Sequence, residues 1–521
     1  AYERNGSREI MEKPMNENTT ALSALFFAEL AEGKGRFMDQ IINGVWHFTE
    51  MSTWSLSAHL PAYQPSKRSL PDQGFHVVDL MAGDMGSFMS WIYYFLNKEM
   101  DKVNPVISER LKTQISERII QPYMSRNDMW WQAFELGNNT LINNWNPWCN
   151  FNVLTCILLI EDNTEQKQKA VFKTMQSVVK FINYVKQDGA CEEGPSYWGH
   201  AAGKLFDYLQ ILSLATGDKV NIFDQALIKD MGEYIAQSYI GGDFWVVNFA
   251  DASAKGGGDP LLIYRYGIAV NSPELKSFGK YLYDKKAAKI KFTRDAYRAL
   301  GDLQSLHAIH NETAALPANR YKWYPETEFL YVKEENSFFA AKGGFNNESH
   351  NHNDIGSFLY YVDEKPVFID AGVDTYNKKS FSKDRYDIWT MQSGFHNLPQ
   401  INGYEQPYGA TYKANATKYD PKKNSFELDI AAAYPSDAKV RRWVRKYEIT
   451  NKALIISDRF EIDNPTIPNS INFLVAQNPK LKEGSIELNE GIRNLKYDKN
   501  QFSATVEEIL LDDPRLSNVW G

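Results

Sequence analysis

The chain has 521 residues, 43% hydrophobic and 23% charged, with a formal charge of −8 at pH 7. That length exceeds one ordinary core and implies two or three domains, and the composition is that of a soluble globular protein. The acidic balance argues against a general nucleic-acid binder, which carries a basic face, and no window offers the roughly 18 consecutive apolar residues of a membrane span.

The chain opens abruptly at Ala1-Tyr2-Glu3-Arg4, without a charged-then-apolar leader. The expectation is a periplasmic or secreted protein whose signal segment lies ahead of residue 1. From about residue 18 to 300 apolar residues recur at helical spacing. Thr20 to Glu32 carries Leu22, Leu25, Phe26 and Leu30; Val77 to Asn97, Val106 to Ile120, Phe151 to Ile160, Ala170 to Val185, Leu205 to Ala215 and Ala226 to Tyr239 continue the series. Short connections such as Glu161-Asp162-Asn163 and Thr216-Gly217-Asp218 join them. Repeated helical hairpins predict an array or toroid of paired helices over residues 1–315. No strict repeat supports a solenoid.

Two segments in this half carry chemistry-bearing side chains. Asn143-Asn144-Trp145-Asn146-Pro147-Trp148 packs three amides and two indoles into six residues. Amides grip a carboxylate or hydroxyl without charge, and equally one Asn here can cap a helix. Glu192-Glu193-Gly194-Pro195-Ser196-Tyr197-Trp198-Gly199-His200 predicts a helix start near Pro195. Tyr197 would then project from a helix N-terminus, whose positive potential favours a phenolate. His200, three residues on, shares that face or simply packs. The three cysteines, Cys149, Cys156 and Cys191, lack metal-ligand spacing and read as buried free thiols.

From about residue 325 the pattern changes to short alternating runs. Phe329 to Lys333, Ser337 to Lys342, Gly356 to Val362, Val367 to Asp370, Ser425 to Ala432, Val440 to Thr450, Ala453 to Ile462 and Ser470 to Ala476 read as strands. An antiparallel β-sandwich is expected over residues 316–521, making the chain a multidomain α+β protein. Basic residues cluster at Lys378-Lys379, Lys383 and Arg385, and again at Arg441-Arg442, Arg445 and Lys446 on what reads as a solvated strand face.

His350-Asn351-His352-Asn353-Asp354 opens one of these runs. In an extended segment alternate side chains share a face, so both imidazoles can enter one site, one holding a metal and the other moving protons. Asp370 and His396 lie downstream; with His352 they offer two imidazoles and a carboxylate, a normal zinc ligand set.

Taken together, Ser52-Thr53-Trp54 through His59, Asn143-Asn144-Trp145-Asn146, Glu193-Gly194-Pro195-Ser196-Tyr197-Trp198, His350 to Asp354 and Phe395-His396-Asn397 resemble the heparinase II/III family of polysaccharide lyases. The resemblance covers most of the chain and implies an α/α toroid followed by antiparallel sheets. It implies β-elimination at a uronic acid, with Asn143 neutralising the carboxylate and Asn144 as the adjacent fallback. Tyr197 would be base, acid or both, and His350 the second proton-transfer group. His352, Asp370 and His396 would hold a structural zinc ion. His59, Trp145, Trp198, Tyr376 and Arg385 are substrate-binding candidates. No organic cofactor is implied.

Heparin or heparan sulfate is the first substrate expected, with alginate or an oligoalginate the close alternative. A hydrolase using Glu192 or Glu193 with Asp370 is the rival enzyme. A non-catalytic acidic-glycan-binding protein is the rival outside catalysis. No nucleic-acid partner is expected.

Overall fold

The helices expected before residue 300 form, and most run beyond their apolar stripes to a capping residue. Glu9–Glu32 ends on Gly33 in the left-handed conformation. Leu80–Val103 begins where the Asp79 carboxylate accepts from Ala82 N. Asn104, Asn163 and Asp295 cap Pro105–Ile115, Thr164–Tyr184 and Ala296–His310 in the same way. Such side-chain oxygens satisfy N–H groups that a helix start leaves unpaired. The run expected through Ile120 stays α-helical only to Ile115 and continues as a π-turn over Ser116–Ile120.

The computed structural model describes residues 2–135, 137, 141–491 and 493–521, in two compact units. The division is not a single cut at 315/316. The first unit takes residues 1–185, 199–232 and 259–315; the second takes 186–198, 233–258 and 316–521. The first is built from helical hairpins, among them Leu80–Val103 with Pro105–Ile115, Trp145–Ile160 with Thr164–Tyr184, and Pro260–Ala269 with Pro273–Lys285. Its core joins Phe26, Met85, Phe88, Ile119, Trp131, Val153 and the thiols Cys149 and Cys156. Among the described residues no helix is long and apolar enough to cross a membrane.

The second unit is an antiparallel sandwich. One sheet runs Tyr321–Tyr324, Phe329–Lys333, Ser337–Lys342, Phe358–Val362, Lys365–Phe368 in sequence order; the other runs Asn415–Asp420, Ser425–Asp429, Val440–Ile449, Leu454–Ile462. Alternation assigns the faces. Leu330, Val332, Phe339 and Phe358 meet Phe426, Leu428, Trp443 and Tyr447 in the shared core. The opposite face of the first sheet, through Phe329 and Tyr331, packs on Phe249 and Tyr234 of the 233–258 segment. Both faces of that sheet are therefore covered, and the covering segment delivers a carboxylate to the site. Arg445 departs from the solvated reading: it is fully buried, paired with Asp458 through two bonds of 2.9 Å and donating to Asn397 O at 2.7 Å. Arg441 and Arg442 remain exposed.

Candidate active site

The histidine motif lies in the turn region between Ser337–Lys342 and Phe358–Val362, not in a strand. The strand begins at Phe358 rather than Gly356, and His350 sits at φ +59°, a left-handed conformation uncommon outside glycine. The two histidines share a site, but not through the pleat. Both reach one fully buried carboxylate, Asp251: His350 Nδ1 lies 2.8 Å from Oδ2 and His352 Nε2 lies 3.0 Å from Oδ1. Burial alone would raise that carboxyl. The bonds from His350 and His352 and the charge of Arg385, whose Nη2 is 2.7 Å from Oδ1, hold it well below the ordinary carboxylate range instead.

Tyr197 belongs to the same unit. Gly194 is required just ahead of it: its φ is +85°, and a Cβ there would stand 2.5 Å from Phe249 O. That close approach seats the short helix Pro195–Trp198 on the segment carrying Asp251. Tyr197 Oη is 2.6 Å from Tyr376 Oη, and Tyr376 in turn donates to Asp251 Oδ2 at 2.8 Å. With the Tyr376 proton committed to Asp251, the first bond runs from Tyr197 to Tyr376. The Tyr197 ring also stacks on His350, centroids 4.1 Å apart. The expected lowering of the Tyr197 phenol by a helix terminus does not occur. Four residues make little dipole, and burial followed by the Asp251 charge pushes the phenol up. Tyr376 is pushed up by the same two causes. Both phenols are neutral donors at neutral pH.

His352, Asp370 and His396 are brought together. Their ligand atoms lie within 4.8 Å of one another, and all three are buried. Asp370 Oδ2 accepts from His396 Nδ1 at 2.9 Å, while its Oδ1 accepts from Gly372 N at 2.8 Å. His396 would be lowered by burial, but the Asp370 charge and bond raise it. Two buried nitrogens, His352 Nδ1 and His396 Nε2, have no hydrogen-bond partner. Buried polar atoms without partners are costly, and a cation accepting both lone pairs beside a carboxylate would remove that cost. The residues fit a metal of the zinc type. Asn397, adjacent to His396, fixes the loop by donating to Phe358 O and Ile369 O at 2.7 and 2.9 Å.

The remaining candidates belong to the first unit, apart from Trp198 and Arg385. Asn143 Oδ1, one residue ahead of the N-cap position Asn144, accepts at 3.1 Å from Trp145 N, the first N–H of the helix Trp145–Ile160. Asn144 is buried. His59 Nδ1 is 2.6 Å from Asp79 Oδ2, and its ring meets Trp145 edge-on at 4.8 Å. Trp130, more than a third exposed and unflagged by sequence, lies 5.2 Å from Trp145. His200 packs flat on Trp148 at 4.1 Å. Trp198 is completely buried, so its indole fills core and has no face to offer a sugar. Arg385 is turned inward onto Asp251 and the Asn351 carbonyl, whereas Lys378, Lys379 and Lys383 of its cluster are exposed.

Glu193 is buried with Oε2 3.4 Å from His350 Nε2. Glu192 Oε1 accepts from Ser349 N at 3.3 Å; burial and the nearby Glu348 charge push it up to about 7. Asp370, the proposed hydrolase partner, is buried with both oxygens bonded, which fits a ligand better than a base that activates water.

Asp251 was missed by the sequence reading. Its one signal is weak: a lone carboxylate in the largely apolar stretch from Trp245 to Ala254. Nothing local connects it to histidines about a hundred residues away.

Residues 317–496 match the family described as heparinase II/III-like, C-terminal. No curated protein sequence matches the chain. Among solved structures, heparinase III superposes with a TM-score of 0.62 at 14% identity, covering 89% of this chain and 66% of that one. A mutant heparan sulfate lyase HepC from Pedobacter heparinus gives 0.55 at 14%, covering 89% and 65%. The chondroitin AC lyase of Streptomyces coelicolor A3, in complex with chondroitin sulphate, gives 0.50 at 10%, covering 92% and 67%. The chain thus spans about two thirds of the length of these proteins, and the likeness is one of fold.

Proposed function

We propose that this chain, whose residues 317–496 match the family described as heparinase II/III-like, C-terminal, is a polysaccharide lyase that cleaves uronic-acid-containing glycans by β-elimination. The observation that carries the reading is the cluster in which Tyr197 bonds Tyr376, stacks on His350 and, with both, converges on Asp251. It supplies neutral phenols and an imidazole, the groups an elimination uses to move two protons. In the reaction a base takes the proton on C5 and the C5–H electrons become the C4=C5 bond. The C4–O4 bond breaks, and O4 receives a proton. Tyr197, a neutral donor hydrogen-bonded at its oxygen, is assigned as the acid; His350, through Nε2, is assigned as the base. Asn143 is assigned to the uronate carboxylate, where its amide N–H groups would stabilise the developing negative charge, with Asn144 beside it.

His352, Asp370 and His396 would hold a zinc ion, supplying a structural crosslink among the loops around His350. His59, Trp145 and Tyr376 are assigned to sugar binding. Heparin or heparan sulfate is the preferred substrate, because the proteins named for heparinase III and heparan sulfate lyase superpose with TM-scores of 0.62 and 0.55, above the 0.50 of the chondroitin AC lyase that shares the fold. A polymer of that kind is met in the periplasm or outside the cell. Incubation with heparin, heparan sulfate, hyaluronan, chondroitin sulfate and alginate, followed by mass spectrometry, tests the reading. Elimination gives fragments one water lighter than hydrolysis does. Fragments carrying that water would replace the lyase with a hydrolase, and tight binding with no fragments would leave a glycan-binding protein.

A further inference from the structure

The carboxylate of Asp251 receives four donors, two on each oxygen. Oδ2 accepts from His350 Nδ1 and Tyr376 Oη, each at 2.8 Å. Oδ1 accepts from His352 Nε2 at 3.0 Å and Arg385 Nη2 at 2.7 Å. An ionised carboxylate offers about four lone-pair sites and no proton, so both imidazoles must present an N–H to it. In the neutral form of either ring the other nitrogen then carries the lone pair. For His352 this is Nδ1, buried and without a hydrogen-bond partner in the cluster with Asp370 and His396. For His350 it is Nε2, which faces the Glu193 side. The backbone is shaped to the same end: Ala250, beside Asp251, and His350 itself adopt φ of +60° and +59°, a conformation that persists only where the surroundings enforce it. Asn248 Nδ2 donates to Asp370 O at 3.0 Å, tying the Asp251 segment to the cluster a second time.

We propose that Asp251 is a positioning residue that couples the His352–Asp370–His396 cluster to His350, orienting His352 to bind metal through Nδ1 and His350 to accept a proton through Nε2. A histidine ligand whose second nitrogen donates to a carboxylate is fixed in ring orientation and tautomer. Here that carboxylate also fixes the neighbouring histidine, so order at one ring is imposed on the other. Arg385 is thereby a partner of Asp251 and not a substrate contact. The role given to His350 rests on the lyase reading; the role given to His352 does not.

Asp251→Asn tests the coupling. An amide has one accepting oxygen, so one pair of donors meets an NH2 group. Zinc affinity, measured by competition with a chromophoric chelator, is expected to fall about 10–100-fold, and kcat to fall with little change in KM. Zinc binding equal to wild type would overturn the coupling, as would wild-type protein that takes up no zinc. Should Asp251→Asn fail to fold, neutron diffraction of the wild-type protein decides. Hydrogen on His350 Nδ1 and His352 Nε2 is expected, and hydrogen on the opposite nitrogen of either ring overturns the proposal. Zinc binding and proton positions need no turnover. If both come out as expected while no glycan is cleaved, the positioning role stands and the lyase reading fails.

Discussion

The two regions that carry candidate chemistry, Asn143–Trp148 in the helical unit and His350–Asp354 in the sandwich unit, are held in place by different physics. Asn143 and its neighbours are organised by a helix start and by packed rings: an amide oxygen accepts from Trp145 N, and the Trp145 indole lies against His59 and Trp130. The histidine region is organised by buried charge, with Asp251 gathering two imidazoles, a phenol and a guanidinium from segments far apart in the chain. Loss of such a helix-start bond costs about 1 kcal/mol and is local. Loss of one member of a buried charged network leaves the others unpaired and spreads. Substitutions in the first region should therefore change function more than structure, and those in the second should change both.

The largest effect is expected at Tyr197. Tyr197→Phe keeps the stack on His350 and removes the proton, so kcat should fall about 10²–10⁴-fold while zinc content stays as in wild type and the lost bond to Tyr376 costs only about 1 kcal/mol of stability. An unchanged kcat would remove Tyr197 from the reaction. Asn143→Ala comes next. If the amide stabilises charge in the transition state, turnover should fall roughly 10²–10³-fold, against a stability loss of only about 1 kcal/mol from the lost helix-start bond. Steady-state kinetics beside calorimetry separates the two, and a loss confined to stability would reduce Asn143 to that bond.

Metal removal should distinguish the units. A chelator, or His396→Ala, is expected to lower the unfolding midpoint of the sandwich unit by the binding energy of the ion, about 4 kcal/mol with zinc at roughly a thousand times its Kd. The helical unit should be unaffected. Protease mapping during a thermal ramp reports which unit opens first.

The smallest effect is one of pH, with opposite sign in the two units. Burial, then the charges of Arg298 and Lys204, pull folded His200 down to about 4. Between that value and its ordinary 6.5 the unfolded chain binds a proton that the folded one does not, so stability falls as pH drops through this range. The full shift corresponds to about 3 kcal/mol, and partial exposure of the ring reduces it. Folded Glu192, pushed up to about 7, holds a proton that the unfolded chain releases from about 4.5 upward. Its stabilisation is present at low pH and lost as pH rises through 7. His200→Gln should flatten the acid limb of a stability–pH curve and Glu192→Gln the neutral limb. Identical curves for both variants and wild type would show that neither group is linked to folding.

The same contrast explains what was legible in the sequence. Strands Phe329–Lys333 and Ser337–Lys342 fall where alternation puts them, because a two-residue period is a local property. The helix read from Ala170 starts earlier, at Thr164, because Asn163 caps a first turn, Thr164-Glu165-Gln166, that carries no apolar residue. The grouping of His352, Asp370 and His396 was legible from residue type. The route by which His350 joins them was not: it runs through a left-handed turn and through Asp251, and neither has a local signature. Trp198 was misjudged because an indole beside a candidate tyrosine looks the same in sequence whether it lines a cleft or fills a core.

The central claim is that the Tyr197–His350 cluster performs an elimination. Ultraviolet absorbance, followed while wild type and Tyr197→Phe act in parallel on heparan sulfate, heparin, chondroitin sulfate, hyaluronan and alginate, tests it directly, because a C4=C5 bond conjugated to the uronate carboxylate absorbs where the substrate does not. A rise on at least one glycan with wild type, lost in Tyr197→Phe, is the predicted result. No rise on any of them while reducing ends accumulate, or an equal rise with Tyr197→Phe, would contradict it.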